Sequence, residues 1–385
     1  MDMRSLLSAM LDKGASDLYL TAESPPVLRV EGFTEPIGSE VLKPAQVEAL
    51  ANSLMTERQR AAFDEKLEMN LAIASEKLGR FRVNVFRQRG AVGVVIRQIK
   101  TQVPTLDELG LPAVLKTIAL SRRGLVLVVG ATGSGKSTSL AAMLNYRNEQ
   151  TCGHILTVED PIEFVHPHKK CIVNQREVGF DTMSFGEALR NTLRQAPDVI
   201  LIGEVRDLET MEAAITFAET GHLCLATLHS NNANQAIERV MNFFPMARHA
   251  EIFLQLSLNL RGIASQRLVP GVDGKRVAAM EILVDTPYVK DLIKKGEVDT
   301  LKDAMEKSTQ EGGQTFDQAL FHLYSAGQIS EEQALANADS ANNLRIKIKN
   351  LDISGKSLRE QRIAKAFGGE TIRIEGANSP NFRRI

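Results

Sequence analysis

The segment from Leu125 to Thr138 constrains the fold of this chain more than any other. Five apolar residues, Leu125 to Val129, precede a loop with the spacing G-x-x-x-x-G-K-S, and residues that favour a helix follow the loop. A strand, a glycine-rich loop and a helix in this order form the phosphate-binding P-loop. A chance glycine-rich turn is the alternative, but it would not need a strand before it and a helix after it. The segment therefore predicts an α/β domain that binds a nucleoside triphosphate.

The residue types in this loop explain how it would bind the triphosphate. Glycines let backbone N–H groups turn towards the phosphates, and the start of the helix adds N–H donors and a positive dipole. We expect Lys136 to reach the β- and γ-phosphates and the Ser137 hydroxyl to bind Mg²⁺, so ATP and Mg²⁺ are the predicted cofactors. The predicted nucleotide-binding residues are Gly130, Ala131, Thr132, Gly133, Ser134, Gly135, Lys136, Ser137 and Thr138.

The rest of the chain divides into several predicted domains. Its 385 residues, 43% of them hydrophobic, have room for two or three domains with their own cores. We expect a small α+β domain over 1–99, with helices over 3–13 and 44–63, and a linker over 100–112. Strands and helices alternate over 113–285, which predicts a largely parallel sheet covered on both faces. A helical part over 286–344, with helices ending near Gly296, Gly312 and Gly327, and a basic tail over 345–385 complete the chain.

Composition excludes some functional classes and leaves others open. The net charge of −1 favours neither nucleic acid nor anionic lipid as a partner. Cys152, Cys171 and Cys224 lack metal-site spacing, and we interpret them as small buried residues in a reducing compartment. No apolar run is long enough to span a membrane, which predicts a cytoplasmic protein. The tail has ten Lys or Arg against four Asp or Glu, and we expect its end to be flexible. It is either simply solvated or in contact with lipid headgroups or an acidic partner.

Two further segments supply the carboxylates that a P-loop enzyme needs. The run from Asp198 to Glu204 places Glu204 directly after an apolar strand, the position of the Walker B acid that helps to hold Mg²⁺. In the segment 157–163, Pro161 breaks a strand, so Glu159, Asp160 and Glu163 should cluster at the carboxyl edge of the sheet. A charged surface turn is the alternative interpretation of that second segment.

Histidines and arginines are the remaining candidates for the site. His222 and His229 lie at the two ends of one apolar strand, where a histidine can contact a γ-phosphate or is simply a core or surface residue. Arginines that stabilise the transition state often come from a neighbouring domain or subunit. Arg82 and Arg97, on the polar sides of two strands of the first domain, are therefore candidates. The other arginines considered are Arg190, Arg194 and Arg206.

Taken together, these segments resemble the secretion-type hexameric ATPases (GspE/VirB11-like), and in particular the type IV pilus retraction ATPases of the PilT/PilU family. The segments that carry the resemblance are 14–18, 25–30, the P-loop, 157–163, 174–177, 198–207 and 221–229. The resemblance implies a RecA-like P-loop ATPase domain after a PAS-like α+β domain, with a helical C-terminal extension. It implies that Glu163 activates water, Glu204 is the Walker B acid, His222 and His229 are sensors, and Arg82 and Arg97 reach the nucleotide from the N-terminal domain.

The resemblance also implies partners. The segment Tyr288 to Lys295 keeps the amphipathic character but not the residues of the signature that PilT-type motors carry there. This points to the accessory, PilU-like branch of the family, which forms a homo-hexamer. The expected partners are a PilT-type motor and a PilC-like platform protein of the inner membrane at the pilus base. Two alternatives stay open: a RecA-like nucleic-acid translocase, and a non-catalytic ring adaptor that modulates a sister motor.

Overall fold

A computed structural model of the chain describes residues 2–30, 32–75, 77–99 and 102–351. The first part of the chain forms a six-stranded antiparallel sheet in the order β3-β2-β1-β6-β5-β4. Its strands are β1 Asp17–Thr21, β2 Val27–Val30, β3 Phe33–Pro36, β4 Glu68–Ser75, β5 Gly79–Gln88 and β6 Ala91–Ile99, and its helices are α1 Met3–Asp12, α2 Pro44–Leu54 and α3 Glu57–Lys66.

Alternation along β5 shows why this sheet has one packed face. Phe81, Val83 and Val85 are fully buried, whereas Arg82 and Asn84 between them are partly exposed. The single helix expected over 44–63 is wrong, because the helix is interrupted at Met55 and Thr56. Thr56 caps α3: its hydroxyl accepts a hydrogen bond from the backbone N–H of Gln59, whose side chain accepts one from the N–H of Thr56.

The second sheet has seven strands in the order β13-β12-β7-β11-β10-β8-β9. All neighbours are parallel except the pair of β12 and β13. The strands are β7 Gly124–Val129, β8 Gly153–Glu159, β9 Cys171–Glu177, β10 Val199–Ile202, β11 Leu223–Leu228, β12 Leu260–Pro270 and β13 Arg276–Val284. The α/β fold and the mostly parallel sheet are confirmed.

Helices cover both faces of this sheet, as the continuous apolar strands predicted. Along β7, Leu125, Leu127 and Val129 face one hydrophobic core, and Val126 and Val128 face another. The helices are α4 Val114–Ala119, α5 Lys136–Gln150, α6 Phe185–Thr192, α7 Leu208–Glu219, α8 Ala233–Met241, α9 His249–Asn259, α10 Pro287–Lys295, α11 Leu301–Lys307, α12 Phe316–Ser325 and α13 Glu331–Ala336, and residues 341–351 are also helical.

Some sequence predictions outside the two sheets need correction. The helix expected to end near Gly312 ends at Lys307, while α10 and α12 end beside Gly296 and Gly327 as expected. Cys171 and Cys224 are buried, but Cys152 is exposed. None of the described helices combines the length and apolar character needed to cross a membrane. Residues 352–385, most of the basic tail, lie outside the described residues.

The parallel arrangement fixes where functional groups can meet. The carboxyl ends of β7, β8, β10 and β11 lie side by side, within two residues of one another in register. The loops that follow these four strands therefore leave the sheet at the same edge. They contain the P-loop, the segment after Glu159, Glu204 and His229.

Candidate active site

The P-loop joins β7 to α5 and has the conformation that its glycines allow. Gly135 has φ +88°, and a Cβ atom at this position would lie 2.8 Å from the side-chain nitrogen of Gln266 on β12. The side-chain oxygen of Gln266 accepts a hydrogen bond of 2.7 Å from the buried hydroxyl of Ser139 in α5. Gln266 therefore supports both the loop and the helix that follows it.

Lys136 stands at the start of α5 with its side chain lying back over the loop. Its Nζ donates hydrogen bonds to the carbonyl oxygens of Gly130 (2.8 Å) and Ala131 (3.0 Å). Partial burial lowers the pKa of Lys136, and the charges of Glu204 and Glu163 oppose this effect. A cation held among carbonyl groups and near two carboxylates can readily transfer its hydrogen bonds to phosphate oxygens.

A cavity of about 570 Å³ lies over this loop. Many of its lining residues follow the strands at the carboxyl edge of the sheet. Among them are Thr132, Gly133, Gly135, Lys136, Ser137, Thr138, Glu159, Asp160, Glu163, Glu204, Arg206 and His229. The structure thus brings together most of the P-loop residues and the carboxylates predicted from sequence, while Gly130 and Ala131 line a smaller adjoining cleft with His229.

Glu163 and the P-loop meet directly. The hydroxyl of Ser137 donates a hydrogen bond of 2.8 Å to Oε1 of Glu163. A hydroxyl predicted to bind a metal and a carboxylate predicted to activate water are thus neighbours in one cavity. This hydrogen bond links the P-loop to the segment 157–163.

Glu204 is the centre of a charged group opposite the P-loop. Its carboxylate accepts a hydrogen bond of 2.7 Å from Nε of Arg206 and lies 3.0 Å from Nε2 of His229. Arg206 also reaches Asp160 at 3.3 Å. The hydrogen bond to Glu204 raises the pKa of Arg206. His229 and Arg206 therefore fix the orientation of the Glu204 carboxylate.

Glu159, at the end of β8, lies deeper than the other carboxylates. Its Oε1 accepts hydrogen bonds from the hydroxyl of Thr157 (2.6 Å) and from the side-chain amide of Gln175 (3.1 Å). Burial raises the pKa of Glu159 to about 7, the charges of Glu163 and Glu177 act in the same direction, and the two hydrogen bonds oppose the rise. This carboxyl group therefore changes its protonation state near neutral pH.

His222 does not belong to this cavity. It precedes β11, whereas His229 follows it, and β11 has six residues. At about 3.3 Å per residue, the two ends of the strand are roughly 20 Å apart. His222 instead contacts the hydroxyl of Thr220 and the carbonyl oxygen of Phe217. The structure therefore places His222 outside the cavity of its own chain, and a sensor role for it stays a prediction.

The two N-terminal arginines also lie outside the cavity of their own chain. Arg82 and Arg97 face each other across β5 and β6. Arg97 forms an ion pair of 2.7 Å with the buried Asp17. Arg82 lies close enough to Glu177, at the end of β9, to lower the pKa of that carboxyl group, although burial raises it more. The structure thus places Arg82 near the end of β9 and not among the residues that line the cavity.

Sequence reasoning missed several residues of the site. Thr157 and Gln175 hold Glu159, and Gln266 supports the P-loop. Gln175 belongs to the segment 174–177, which the sequence analysis noted without a role. Leu268 and Arg276 also line the cavity, from β12 and β13, and no local pattern in the sequence marks them.

The parallel sheet, the P-loop and the carboxylates at its edge define a P-loop ATPase. The family of type II/IV secretion system proteins matches residues 2–377. The chain belongs to this family.

Individual relatives place the chain more closely. It is 57% identical to the type IV pilus ATPase PilU of Pseudomonas aeruginosa over 91% of this chain and 92% of that protein. It is 46% identical to the retraction ATPase PilT of the same organism, over 89% of this chain and all of that one. A crystal structure of the pilus retraction motor PilT with bound ADP superposes with a TM-score of 0.83 at 40% identity, covering 88% of this chain and 98% of that chain.

Proposed function

We propose that this chain hydrolyses ATP to drive type IV pilus retraction, as an accessory ring that works with a PilT-type motor. The observation that carries this proposal is the convergence of Lys136, Glu163 and Glu204, from three separate segments, on one cavity. The relatives named as pilus ATPases supply the biological setting.

The P-loop offers groups that a triphosphate would satisfy. The hydroxyl of Ser134 is buried and has no hydrogen-bond partner among the described residues. Such a group is costly unless a ligand or water pairs with it. Among the described residues, the acceptors of the Lys136 ammonium group are loop carbonyls only, and phosphate oxygens are stronger partners for such a group.

The oxygen ligands near the P-loop fit Mg²⁺. Within the described residues, no three His, Cys, Asp or Glu side chains form a metal site by themselves. Mg²⁺ in nucleotide sites takes few protein ligands and several phosphate and water oxygens. Ser137 and Glu204, the latter partly through water, would hold it. When bound, Mg²⁺ neutralises charge on the phosphates.

The carboxylates and His229 have separate roles in the proposed reaction. Glu163 orients and activates the attacking water, because it lies beside Ser137 at the phosphate end of the cavity. Glu204 and His229 hold each other next to the position of the γ-phosphate. Arg82 and Arg97 approach a nucleotide from the N-terminal domain of a neighbouring subunit in a ring of six, since neither lines the cavity of its own chain.

Movement of the N-terminal domain (1–99) on the ATPase core (113–285), through the linker 100–112, would turn hydrolysis into force. Phe180, after β9 of the core, packs against the hydrophobic core of the N-terminal sheet. The ring would pass this motion to a PilC-like platform protein, which would hold it at the inner membrane on the cytoplasmic side. Nucleic acid has no part in this proposal.

Complementation of a strain that lacks the gene tests the proposal. Pilus retraction under load is measured with the wild type, Glu163→Gln, or the control Glu219→Gln, which changes an exposed glutamate at the end of α7. We expect Glu163→Gln to behave like the deletion and Glu219→Gln like the wild type. Full retraction with Glu163→Gln would contradict the proposal.

A further inference from the structure

A buried carboxylate on β13 lies behind the loop that carries His229. Glu281 is 2% exposed and lies opposite Ser265 in the register of β12 and β13. Ser265 in turn lies beside Val129, the last residue of β7 before the P-loop. Glu281 is thus two strands away from the P-loop and does not line the nucleotide cavity.

Two hydrogen bonds fix this carboxylate. Its Oε1 accepts a hydrogen bond of 2.7 Å from the backbone N–H of Ala233 and one of 3.0 Å from the buried hydroxyl of Ser265. Ala233 is the first residue of α8, where backbone N–H groups lack partners within the helix. The side chain of Asn232 caps the same helix through the N–H of Gln235. The start of α8 is therefore held from two sides, locally by Asn232 and from the sheet by Glu281.

His229 lies on the short connection between β11 and α8. Only three residues separate His229 from Ala233, and His229 lies 3.0 Å from the carboxylate of Glu204. A shift of the first turn of α8 would move this short connection. A displacement of about 1 Å in a catalytic group can change a rate on the order of 100-fold.

We propose that Glu281 is a positioning residue that holds the first turn of α8 and so keeps His229 aligned with Glu204. The inference rests on the proposed role of His229 in hydrolysis. The Glu281 side chain is long enough to place its acceptor oxygen, from the sheet, within hydrogen-bond distance of the helix. This role depends on the position of that oxygen and not on the charge of the carboxyl group. Burial raises the pKa of Glu281, and the hydrogen bonds from Ala233 and Ser265 oppose the rise.

Two substitutions in the full-length protein distinguish the effect of the length of the Glu281 side chain from the effect of its charge. Glu281→Gln keeps an oxygen at the same distance but removes the charge, and Glu281→Asp keeps the charge but shortens the side chain by one methylene group. We expect Glu281→Asp to lower kcat for ATP hydrolysis by about 10-fold to 100-fold, with a much smaller change in KM. We expect Glu281→Gln to retain most of the wild-type kcat.

A double-mutant cycle and a stability control distinguish positioning from a merely structural role. In the His229→Ala background, Glu281→Asp should lower kcat no further. Thr286→Ala removes the N-terminal cap of α10, in which the Thr286 hydroxyl accepts a hydrogen bond from the backbone N–H of Val289. It should lower the melting temperature but leave kcat unchanged.

The outcomes that overturn the inference are distinct from failure of the proposed function. A wild-type protein that does not hydrolyse ATP would refute the function itself. Wild-type kcat in Glu281→Asp, a larger loss in Glu281→Gln than in Glu281→Asp, or multiplied losses in the double variant would refute the positioning role. Wild-type kcat in His229→Ala would refute it as well, while leaving the ATPase in place.

Discussion

Replacement of Glu159 by glutamine should make the protein more stable at high pH. In the folded chain the pKa of Glu159 is about 7, against an ordinary value of 4.5, mainly because of burial. Between pH 4.5 and pH 7, the carboxyl group is therefore still protonated in the folded state but already ionised in the unfolded state. The stability that this proton provides is complete below pH 4.5 and is lost as the pH rises through 7. The difference between the two pKa values corresponds to about 3 kcal/mol.

Denaturant unfolding of the wild type and Glu159→Gln between pH 5 and pH 8 measures this effect. Glutamine keeps the oxygen that accepts hydrogen bonds from Thr157 and Gln175, but its side chain does not titrate. We expect the free energy of unfolding of Glu159→Gln, relative to wild type, to increase by up to about 3 kcal/mol across this range. Thr157→Val removes a hydrogen bond that lowers the pKa of Glu159, so it should move the transition to higher pH. A difference between Glu159→Gln and wild type that does not change with pH would refute the reasoning.

Two further substitutions test the P-loop and the N-terminal sheet. Gly135→Ala introduces a Cβ atom at φ +88°, 2.8 Å from Gln266, and should lower the free energy of unfolding by about 1–2 kcal/mol and weaken ATP binding. Thermal unfolding and titration with a fluorescent ATP analogue check this, and unchanged values would contradict it. Arg97→Ala leaves Asp17, 2% exposed, without its ion pair, and should cost about 1 kcal/mol in denaturant unfolding. The control is Arg58→Ala, which changes an exposed arginine of α3 for which the described residues offer no ion pair, and an equal loss there would contradict the role of Asp17.

The parts of the site that sequence predicted are those set by local patterns. The P-loop spacing specifies a conformation within nine residues, and the apolar run before Glu204 specifies a buried strand. Both were placed correctly for this reason. The strand direction also carried information that was not used: His222 comes before β11, and in a parallel sheet that position lies at the edge away from the P-loop.

The parts that sequence missed depend on contacts between distant segments. The edge strand β9 has the exposed Ile172 and ends in four polar residues, 174–177, so it lacks the continuous apolar run of the central strands. The pKa of Glu159 depends on burial and on Gln175 from β9. The support of the P-loop by Gln266 links residues more than a hundred positions apart. No local pattern reports such contacts.

The central claim is that the P-loop binds ATP and that carboxylates at the ends of later strands are needed to hydrolyse it. The most direct test compares the purified wild type with Lys136→Ala and Glu204→Ala in the presence of Mg²⁺. Both phosphate release and retention of labelled ATP are measured for each protein. The account predicts that the wild type binds and hydrolyses ATP, that Lys136→Ala does neither, and that Glu204→Ala binds ATP but hardly releases phosphate. Phosphate release by Glu204→Ala at the wild-type rate, or ATP retention by Lys136→Ala equal to that of the wild type, would contradict it.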